Sequence, residues 1–243
     1  MRPNPSSLRN DQTVSKGLDG GRVLVVIPAF QEATRIRDVI EALRCEGLAV
    51  LVVDDGSRDA TSTIARSAGA DVLRHAINLG QGAALATGLQ YAAARGFEYV
   101  VTFDADGQHD AGDVRPAVCA LHESGADVLL GSRFLGEAVG LSRSRRLLLR
   151  AALLFTRLAT GLRVTDTHNG FRVFRNASLP LFCLRQNRMA HASEVLHIIA
   201  KHRLRFIEFP NRVTYTKDTL AKGQKPSEAL GIVADLVRGR LYK

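Results

Sequence analysis

Two pairs of carboxylates are the groups in this chain best placed to do chemistry. Asp54 and Asp55 end one apolar, β-branched run, and Asp104 and Asp106 end another about fifty residues later. Such runs are typical of buried strands in a parallel sheet, and these sheets bind ligands beyond the carboxyl ends of their strands. Side chains two residues apart lie on one side of an extended chain, so Asp104 and Asp106 can converge. Their oxygens suit Mg²⁺ or Mn²⁺ bridging to substrate phosphates, although Asp also simply begins turns.

The elements that must position these carboxylates alternate between strands and helices. Apolar runs predict strands at residues 22–28, 49–54, 71–74, 99–104, 127–131, 171–174 and 206–210. Apolar spacing and capping residues, Ser57 among them, predict helices at 32–46, 57–68, 80–94, 112–124 and 141–161 and another from Ser193. This alternation predicts an α/β fold with a doubly wound, mostly parallel sheet flanked by helices. No repeat or linker interrupts residues 22–243, which favours a single domain.

The composition is that of a globular protein, with 46% hydrophobic residues among 243. No stretch reaches the ~18 consecutive apolar residues that a membrane span needs. Residues 1–21 are polar and lack the apolar core of a secretion signal, so we predict a disordered tail. Cys45, Cys119 and Cys183 are scattered and form no CxxC motif. This usage favours reduced thiols in a cytoplasmic protein and argues against a zinc site.

Charge divides the chain into two unlike halves. Residues 1–120 carry 12 Lys and Arg against 15 Asp and Glu, whereas residues 121–243 carry 21 against 9. The acidic half holds the candidate metal ligands, and the basic half suits an anionic partner such as a phosphorylated substrate, a membrane surface or a nucleic acid. Aromatic residues for base stacking are sparse in the basic half and no groove-reading motif occurs, which argues against nucleic acid.

Two glycines, Gly80 and Gly82, open the third predicted helix. Leu85 stands where a GxGxxG dinucleotide motif needs its last glycine, and the segment follows the third strand rather than the first. No Walker A phosphate loop occurs elsewhere in the chain. A helix N-terminus that approaches backbone or ligand closely explains these glycines better.

The predicted helix at 141–161 has a basic face. Four arginines fall within an arc of ~60° at 100° per residue: Arg143, Arg146, Arg150 and Arg157. Apolar residues lie opposite: Leu148, Ala152, Phe155 and Ala159. Such a helix can lie on an anionic bilayer surface, and a core helix with solvated arginines explains the pattern equally well. Farther on, residues 215–225 predict a basic loop, and Pro226 begins a last amphipathic helix.

Six motifs in order carry a resemblance to glycosyltransferase family 2. They are residues 26–32 (VIPAFQE), 53–59 (VDDGSRD), 80–82 (GQG), 104–109 (DADGQH), 131–134 (GSRF) and 169–172 (NGFR). Within that family the chain most resembles the dolichyl-phosphate mannose and glucose synthases, which glycosylate polyprenyl phosphates from nucleotide sugars. The resemblance covers about residues 22–225 and implies a GT-A fold. The chain departs from the pattern at Gln31, where Asn is usual, and at His168-Asn169, where a small polar pair is common.

The resemblance also implies roles for individual residues. The implied nucleotide-sugar site comprises Pro28, Ala29, Phe30, Glu32, Asp55, Gly82, Asp104, Ala105, Lys217 and Lys222. The implied ligands of Mg²⁺ or Mn²⁺ are Asp104, Asp106 and Gln108. The implied catalytic residues are Asp104, Asp106, Arg133 and Asp166, and Arg172 matches the acceptor-side loop. Residues 22–135 are thus expected to form the nucleotide-sugar and metal half, and residues 136–243 the basic acceptor half.

Two hypotheses remain for the acceptor. A lipid phosphate monoester, with a second pKa near ~6, is ionised at neutral pH and needs no general base. A hydroxyl of a glycan or a lipid-linked oligosaccharide needs one, and Asp166 or Glu194 is the candidate. The chain contains no Trp, so it lacks the Gln-x-x-Arg-Trp motif of the family's sugar-polymerising branches. We therefore expect a polyprenyl phosphate acceptor, a GDP- or UDP-linked donor and inversion at the anomeric carbon.

These expectations together describe an enzyme of cell-envelope glycan synthesis at the inner face of the plasma membrane. The transmembrane helices of many relatives have no counterpart in the sequence, so we expect a peripheral protein that leans on an anionic membrane surface or on a small membrane-protein partner. His109 and His168 are the histidines with a candidate role in the site. We expect His75 and His191 to be surface or core residues.

Overall fold

The computed structural model describes residues 22–139, 153–154, 156–158, 160–167, 169–184 and 190–214. Its strands are β1 Val23–Ala29, β2 Ala49–Asp54, β3 Asp71–Arg74, β4 Tyr99–Thr102, β5 Val128–Val139, β6 Arg172–Arg175 and β7 Phe206–Thr214. Its α-helices with defined bounds are α1 Ile36–Cys45, α2 Thr61–Ser67, α3 Gln81–Arg95, α4 Val114–Ser124 and α5 Ala190–Lys201. Short 3₁₀ helices span Ala111–Asp113 and Asn176–Leu181. The predicted tail, most of the predicted helix 141–161, and residues 215–243 lie outside the described residues.

The strands form one seven-stranded sheet in the order β3-β2-β1-β4-β6-β5-β7. β1 pairs in parallel with β2 and β4, β2 with β3, and β5 with β7. β6 is antiparallel to both of its neighbours, β4 and β5. The strand order reverses direction at β1, because the chain builds outward through β2 and β3 and then returns to β4 on the other side. The expected doubly wound, mostly parallel sheet is confirmed.

Apolar layers cover both faces of the sheet. Every residue of β1 is buried, which is expected of a central strand covered on both sides. Alternate residues of β1 enter two different clusters: Val25 and Ile27 pack with α1 and α4, whereas Leu24 and Val26 pack with α3 and α5. α3 approaches very closely, since a Cβ at Gly88 would lie 2.2 Å from Cγ1 of Val26. These two layers hold the strands that carry the site.

The carboxyl ends of the central strands meet at one edge of the sheet. The parallel register pairs Ala29 with Asp54, and Val26 with Thr102. The turns that follow β1, β2 and β4 therefore leave the sheet side by side. This confirms that the two carboxylate pairs of the sequence share one edge.

The helix predicted from Ser57 begins at Thr61 instead. The Ser57 hydroxyl does not cap this helix, because it accepts a hydrogen bond from the backbone N–H of Gln31 at 2.9 Å. Asp59 accepts from the backbone N–H of Thr61 at 3.0 Å and so stabilises the helix start. Ser57 therefore links the turn after β1 to the turn after β2.

Other boundaries also differ from those predicted. α1 begins at Ile36 after a turn at residues 33–35, and α5 begins at Ala190 rather than near Ser193. β5 continues to Val139 because β7 pairs with its second half, across a shift in register between Ser132 and Glu137. Among the described residues, no helix is both long and apolar enough to cross a bilayer.

Candidate active site

Asp104 and Asp106 lie in the turn that follows β4. The Asp104 carboxylate contacts the Nε2 atom of Gln81 at 3.2 Å and the Nε2 atom of His109, also at 3.2 Å. The Asp106 carboxylate accepts from the backbone N–H of Gln108 at 3.0 Å. β7 holds this turn in place, since the N–H of Thr214 donates to the carbonyl of Gln108 at 2.9 Å. The implied metal ligands are thus gathered in one short turn.

The two carboxylates differ in their electrostatic environment. Burial raises the pKa of Asp106 to about 6, and the negative charge of Asp104 adds to this effect. Burial also disfavours the charged form of Asp104, but its hydrogen bond with His109 and the charge of Arg172 outweigh that effect. The pKa of Asp104 therefore lies below its usual value. The Asp104 carboxylate is therefore negatively charged, and it repels the negative charge of Asp106.

A divalent cation fits this pair. Burial and the charge of Asp104 both raise the pKa of Asp106, and a cation between the two carboxylates relieves their mutual repulsion. In the described part of the chain, no three His, Cys, Asp or Glu side chains cluster in a way that encloses a metal ion. The ligands implied by the resemblance, Asp104, Asp106 and Gln108, are few, and Mg²⁺ or Mn²⁺ sites of that kind take their remaining oxygens from substrate phosphates and water.

Asp55, at the end of β2, holds the N-terminus of α3. Its carboxylate accepts from the backbone N–H groups of Leu79 at 2.9 Å and of Gly80 at 2.6 Å, and it contacts Nδ1 of His75 at 2.8 Å. The other ring nitrogen of His75 contacts the hydroxyl of Thr87 at 2.9 Å. His75, whose side chain is 12% exposed, is thus a hydrogen-bond partner of a candidate site residue. Most of the acceptor capacity of Asp55 is used by this loop, which leaves little for a nucleoside.

The turn after β1 carries the remaining candidates for nucleotide binding. Pro28 and Ala29 end β1 opposite Val53 and Asp54, and Phe30 is 42% exposed beyond them. The next residue, Gln31, has a φ of 55°, a strained conformation for a residue other than glycine. The N–H of Glu32 donates to the Thr61 hydroxyl at 3.0 Å. Of the other two candidates, Gly82 lies in the first turn of α3, and Ala105 is buried between the metal-motif carboxylates.

Gly170 brings the loop before β6 against Asp104. The Thr102 hydroxyl donates to the carbonyl of Gly170 at 2.6 Å. A Cβ at Gly170 would lie 2.1 Å from Oδ2 of Asp104 and 2.5 Å from its Oδ1. Glycine is therefore needed here because of close approach. The contact joins the predicted metal turn to the predicted acceptor loop, a relation that the NGFR motif alone did not reveal.

Arg133 and Asp166 form a buried ion pair. Nε of Arg133 lies 2.6 Å from Oδ2 of Asp166, and the backbone N–H of Arg133 donates to the same oxygen at 3.1 Å. The Nδ2 atom of Asn169 is 3.5 Å from that oxygen. All three residues are buried. The Asp166 carboxylate is therefore committed to positive and donor groups.

Arg172, on β6, lies between the two halves of the site. Burial lowers its pKa to about 10, against the opposing charges of Asp104 and Asp166. Both carboxylates are thus within electrostatic reach of one guanidinium. Arg172 thus links Asp104 to Asp166, which in turn is paired with Arg133.

Two buried side chains near this region were not predicted to take part. His191, on α5, is buried and lies near enough to Asp104 to contribute to the lowered pKa of that carboxyl group. Asn211, on β7, contacts both His109 and Asn169. No motif marks either position, because each reaches the site only through the packing of a later element.

The described part of the basic helix has an apolar outer face. Thr156 is buried, and Leu153 packs against the core. Leu154 and Leu158 are 60% and 77% exposed, and Arg157 beside them is exposed as well. Arg143, Arg146 and Arg150, like His168, Lys217 and Lys222, lie outside the described residues. The exposed face that can be described is therefore both basic and apolar.

The chain is similar in sequence and in fold to known glycosyltransferases. The sequence model of glycosyl transferase family 2 matches residues 24–181. A UDP-N-acetylglucosamine–dolichyl-phosphate N-acetylglucosaminyltransferase of Methanococcus voltae is 29% identical over 223 residues, covering 83% of this chain and 89% of that protein. An undecaprenyl-phosphate mannosyltransferase of Micrococcus luteus is 32% identical over 172 residues, covering 65% of this chain and 68% of that protein. Glucosyl-3-phosphoglycerate synthase from Mycobacterium tuberculosis, solved with Mn²⁺ and UDP-glucose, has the same fold, with a TM-score of 0.64 at 19% identity over 98% of this chain and 82% of that one.

Proposed function

Since the chain belongs to glycosyl transferase family 2 and is a nucleotide-sugar-dependent glycosyltransferase, we propose that its acceptor is a polyprenyl phosphate. The resemblance stated from the six motifs and the expected GT-A fold are both confirmed. The relatives from Methanococcus voltae and Micrococcus luteus, named for dolichyl-phosphate and undecaprenyl-phosphate acceptors, support this proposal.

The observation that carries the choice of acceptor is the ion pair of Asp166 with Arg133. A hydroxyl acceptor needs a general base, and Asp166 is the first candidate for that role. The Oδ2 atom of Asp166 is buried and accepts from Nε of Arg133 at 2.6 Å and from the backbone N–H of the same residue, so these donors occupy lone pairs that a general base would need. A phosphate monoester is already ionised at neutral pH and needs no base. The paired Asp166 therefore favours the phosphate.

The proposed reaction is a direct displacement at the anomeric carbon. An oxygen of the acceptor phosphate attacks the anomeric carbon and forms the new glycosidic bond. The bond from that carbon to the nucleoside diphosphate breaks on the opposite face, and the diphosphate leaves with the electron pair, so the configuration inverts. Asp104, Asp106 and Gln108 would hold Mg²⁺ or Mn²⁺, which supplies charge stabilisation for the leaving diphosphate. Arg133, Lys217 and Lys222 are the basic residues that we assign to phosphates.

The proposed setting is the inner face of the plasma membrane, in cell-envelope glycan synthesis. The acceptor is a membrane lipid, and Leu154, Arg157 and Leu158 present apolar and basic groups on one exposed helix face. Such a face suits the interface of an anionic bilayer. A small membrane-protein partner would likewise hold the protein at the membrane.

The acceptor is tested with a matched pair of lipids. We expect transfer from a UDP- or GDP-sugar to a short polyprenyl phosphate and none to the corresponding polyprenol, which lacks only the phosphate. Glu194→Gln, which removes the other candidate base, should then lower the rate by less than a factor of about three. Transfer to a free glycan or to polyprenol, together with a loss of ~10²–10⁴-fold in the Glu194→Gln variant, is the result expected of a hydroxyl acceptor that needs a general base. That result would establish the alternative.

Membrane association is tested with vesicles. We expect the protein to sediment with phosphatidylglycerol vesicles at low salt and to be released at high salt, because charge attraction is screened over about 10 Å at 0.1 M. Leu158→Glu should abolish sedimentation, since it places a charge on the apolar face. Ile77→Glu, which changes an equally apolar exposed residue on another segment, should not. Equal binding by Leu158→Glu would show that this helix face does not dock.

A further inference from the structure

A line of polar side chains joins the metal-motif carboxylate Asp104 to the acceptor-side carboxylate Asp166. Nε2 of His109 lies 3.2 Å from Oδ2 of Asp104, and Nδ1 of the same ring lies 3.4 Å from Nδ2 of Asn211. Oδ1 of Asn211 lies 2.9 Å from Nδ2 of Asn169, whose Nδ2 is 3.5 Å from Oδ2 of Asp166. The side chains of His109, Asn169 and Asn211 are all buried.

An irregularity in the sheet directs the side chain of Asn211 into this line of polar side chains. β7 pairs with β5 on both sides of Asn211, but the register shifts there, from Pro210 opposite Ser132 to Arg212 opposite Glu137. Bulges of this kind redirect side chains and are common beside active sites. Asn211 is 1% exposed, and its backbone packs so tightly that a Cβ at Gly136 would lie 2.3 Å from its carbonyl oxygen. Its side chain is buried, and its amide contacts Asn169 and His109.

One backbone N–H group determines which atoms of this line donate hydrogen bonds and which accept them. The N–H of Phe171 can only donate, and it lies 3.0 Å from Oδ1 of Asn169. The other end of that amide, Nδ2, must then face Oδ1 of Asn211, so Nδ2 of Asn211 faces the ring of His109. Nδ1 of His109 is therefore an acceptor. The ring proton resides on Nε2 and points at Asp104.

We propose that Asn211 is a positioning residue for sugar transfer, which fixes the Nε2–H tautomer of His109 and thereby the orientation of the Asp104 carboxylate. The same amide holds Asn169, and through it the loop that carries Asp166. Asn211 thus ties the donor side of the site to the acceptor side without touching either substrate. The inference rests on sugar transfer at this site but not on the identity of the acceptor.

Asn211→Asp tests the inference, because it keeps the shape of the side chain and replaces the donor by an acceptor. Asn176→Asp is the matched control: its amide also donates one hydrogen bond, to the Phe97 carbonyl, but it lies at the opposite end of β4 and β6. The position of the ring proton is read by NMR from the ring nitrogen chemical shifts of the ¹⁵N-labelled, metal-free protein. The signals of His109 are identified as those that disappear in His109→Gln. Activity is followed as transfer and as hydrolysis of the nucleotide sugar without acceptor.

We expect Nδ1 of His109 to be unprotonated in the wild type and in Asn176→Asp, and protonated in Asn211→Asp. We expect kcat of Asn211→Asp to fall ~10–100-fold, the usual effect of removing a group that orients a metal-binding carboxylate. KM for the nucleotide sugar should change less than about threefold. If Asn211→Asp does not fold, Asn211→Ala replaces it. We expect His109 to lose its preference for the Nε2–H tautomer in this variant, and kcat to fall in the same range.

Three results would overturn the inference. They are a proton on Nδ1 of His109 in the wild type, wild-type kcat in the folded Asn211 variants, or an equal fall of kcat in Asn176→Asp. The last would assign the loss to general destabilisation. Failure of the wild type on every polyprenyl phosphate is a different outcome. It would refute the proposed acceptor, whereas the tautomer and the hydrolysis rate would still decide the role of Asn211.

Discussion

Replacing Asp106 by Ala is expected to abolish sugar transfer while the protein stays folded. Asp106 lies in the turn after β4, outside both apolar layers, so its loss removes little packing. Its carboxylate is held beside the charge of Asp104 even though burial, and then this charge, raise its pKa. A bound metal contributes several kcal/mol of transition-state stabilisation, and about 1.4 kcal/mol corresponds to tenfold in rate. We therefore expect kcat to fall by ~10³-fold or more.

The measurement is initial transfer rate with saturating Mn²⁺, together with a thermal melt. Asp110→Ala is the matched control, because Asp110 lies in the same turn, is exposed, and only caps the short 3₁₀ helix through Gly112. It should retain activity within about threefold. Near-wild-type turnover of Asp106→Ala would remove this residue from the mechanism. A collapsed melt in Asp106→Ala alone would instead make its role structural.

Replacing Gly170 by Ala is expected to have the next largest effect. Gly170 does not have a positive φ, so alanine meets no backbone strain at this position. Its Cβ would overlap the Asp104 carboxylate, with 2.1 Å to Oδ2. Either the loop or the carboxylate must move by about 1 Å, and a misplacement of that size can cost ~10²-fold in rate. We expect a loss of at least that order in kcat.

The loss should come with a weaker response to metal, because Asp104 is the group displaced. Titration of Mn²⁺ against transfer rate measures this, and the concentration for half-maximal rate should rise in Gly170→Ala. Gly112→Ala serves as the control. Its Cβ would meet only the flexible Asp110 side chain, at 3.3 Å, so activity should be unaffected. An unchanged metal response in Gly170→Ala would mean that the loop, rather than Asp104, had yielded.

The sequence by itself determined the parallel half of the fold and the edge that carries the site. β1, β2 and β4 are runs of buried β-branched residues, a pattern that depends only on local composition and on the coverage of both sheet faces. Carboxylates after such strands must leave the sheet together, so the positions of Asp55 and Asp104 in the chain were enough to place them at one edge. The six ordered motifs likewise identified the family, because each is a short stretch of contiguous residues.

Element boundaries depended on contacts that are distant in sequence. Ser57 resembles a helix cap, but its hydroxyl is taken by Gln31, 26 residues earlier. β5 extends past residue 131 because β7, more than 60 residues later, pairs with it. Local propensity cannot include a partner that only the folded chain provides.

Only the tertiary structure decided how the two halves of the site are joined. Asn211 and His191 come from late elements that no motif marks, and the NGFR motif contains Gly170 but does not reveal its close approach to Asp104. The ion pair with Arg133 bears on the role of Asp166. From the sequence alone, a carboxylate can be a base, a metal ligand or a counterion. Its role is set by burial and by the atoms around it, which depend on packing in three dimensions. The chemistry available to this chain was visible in its motifs, and the assignment of each group required the fold.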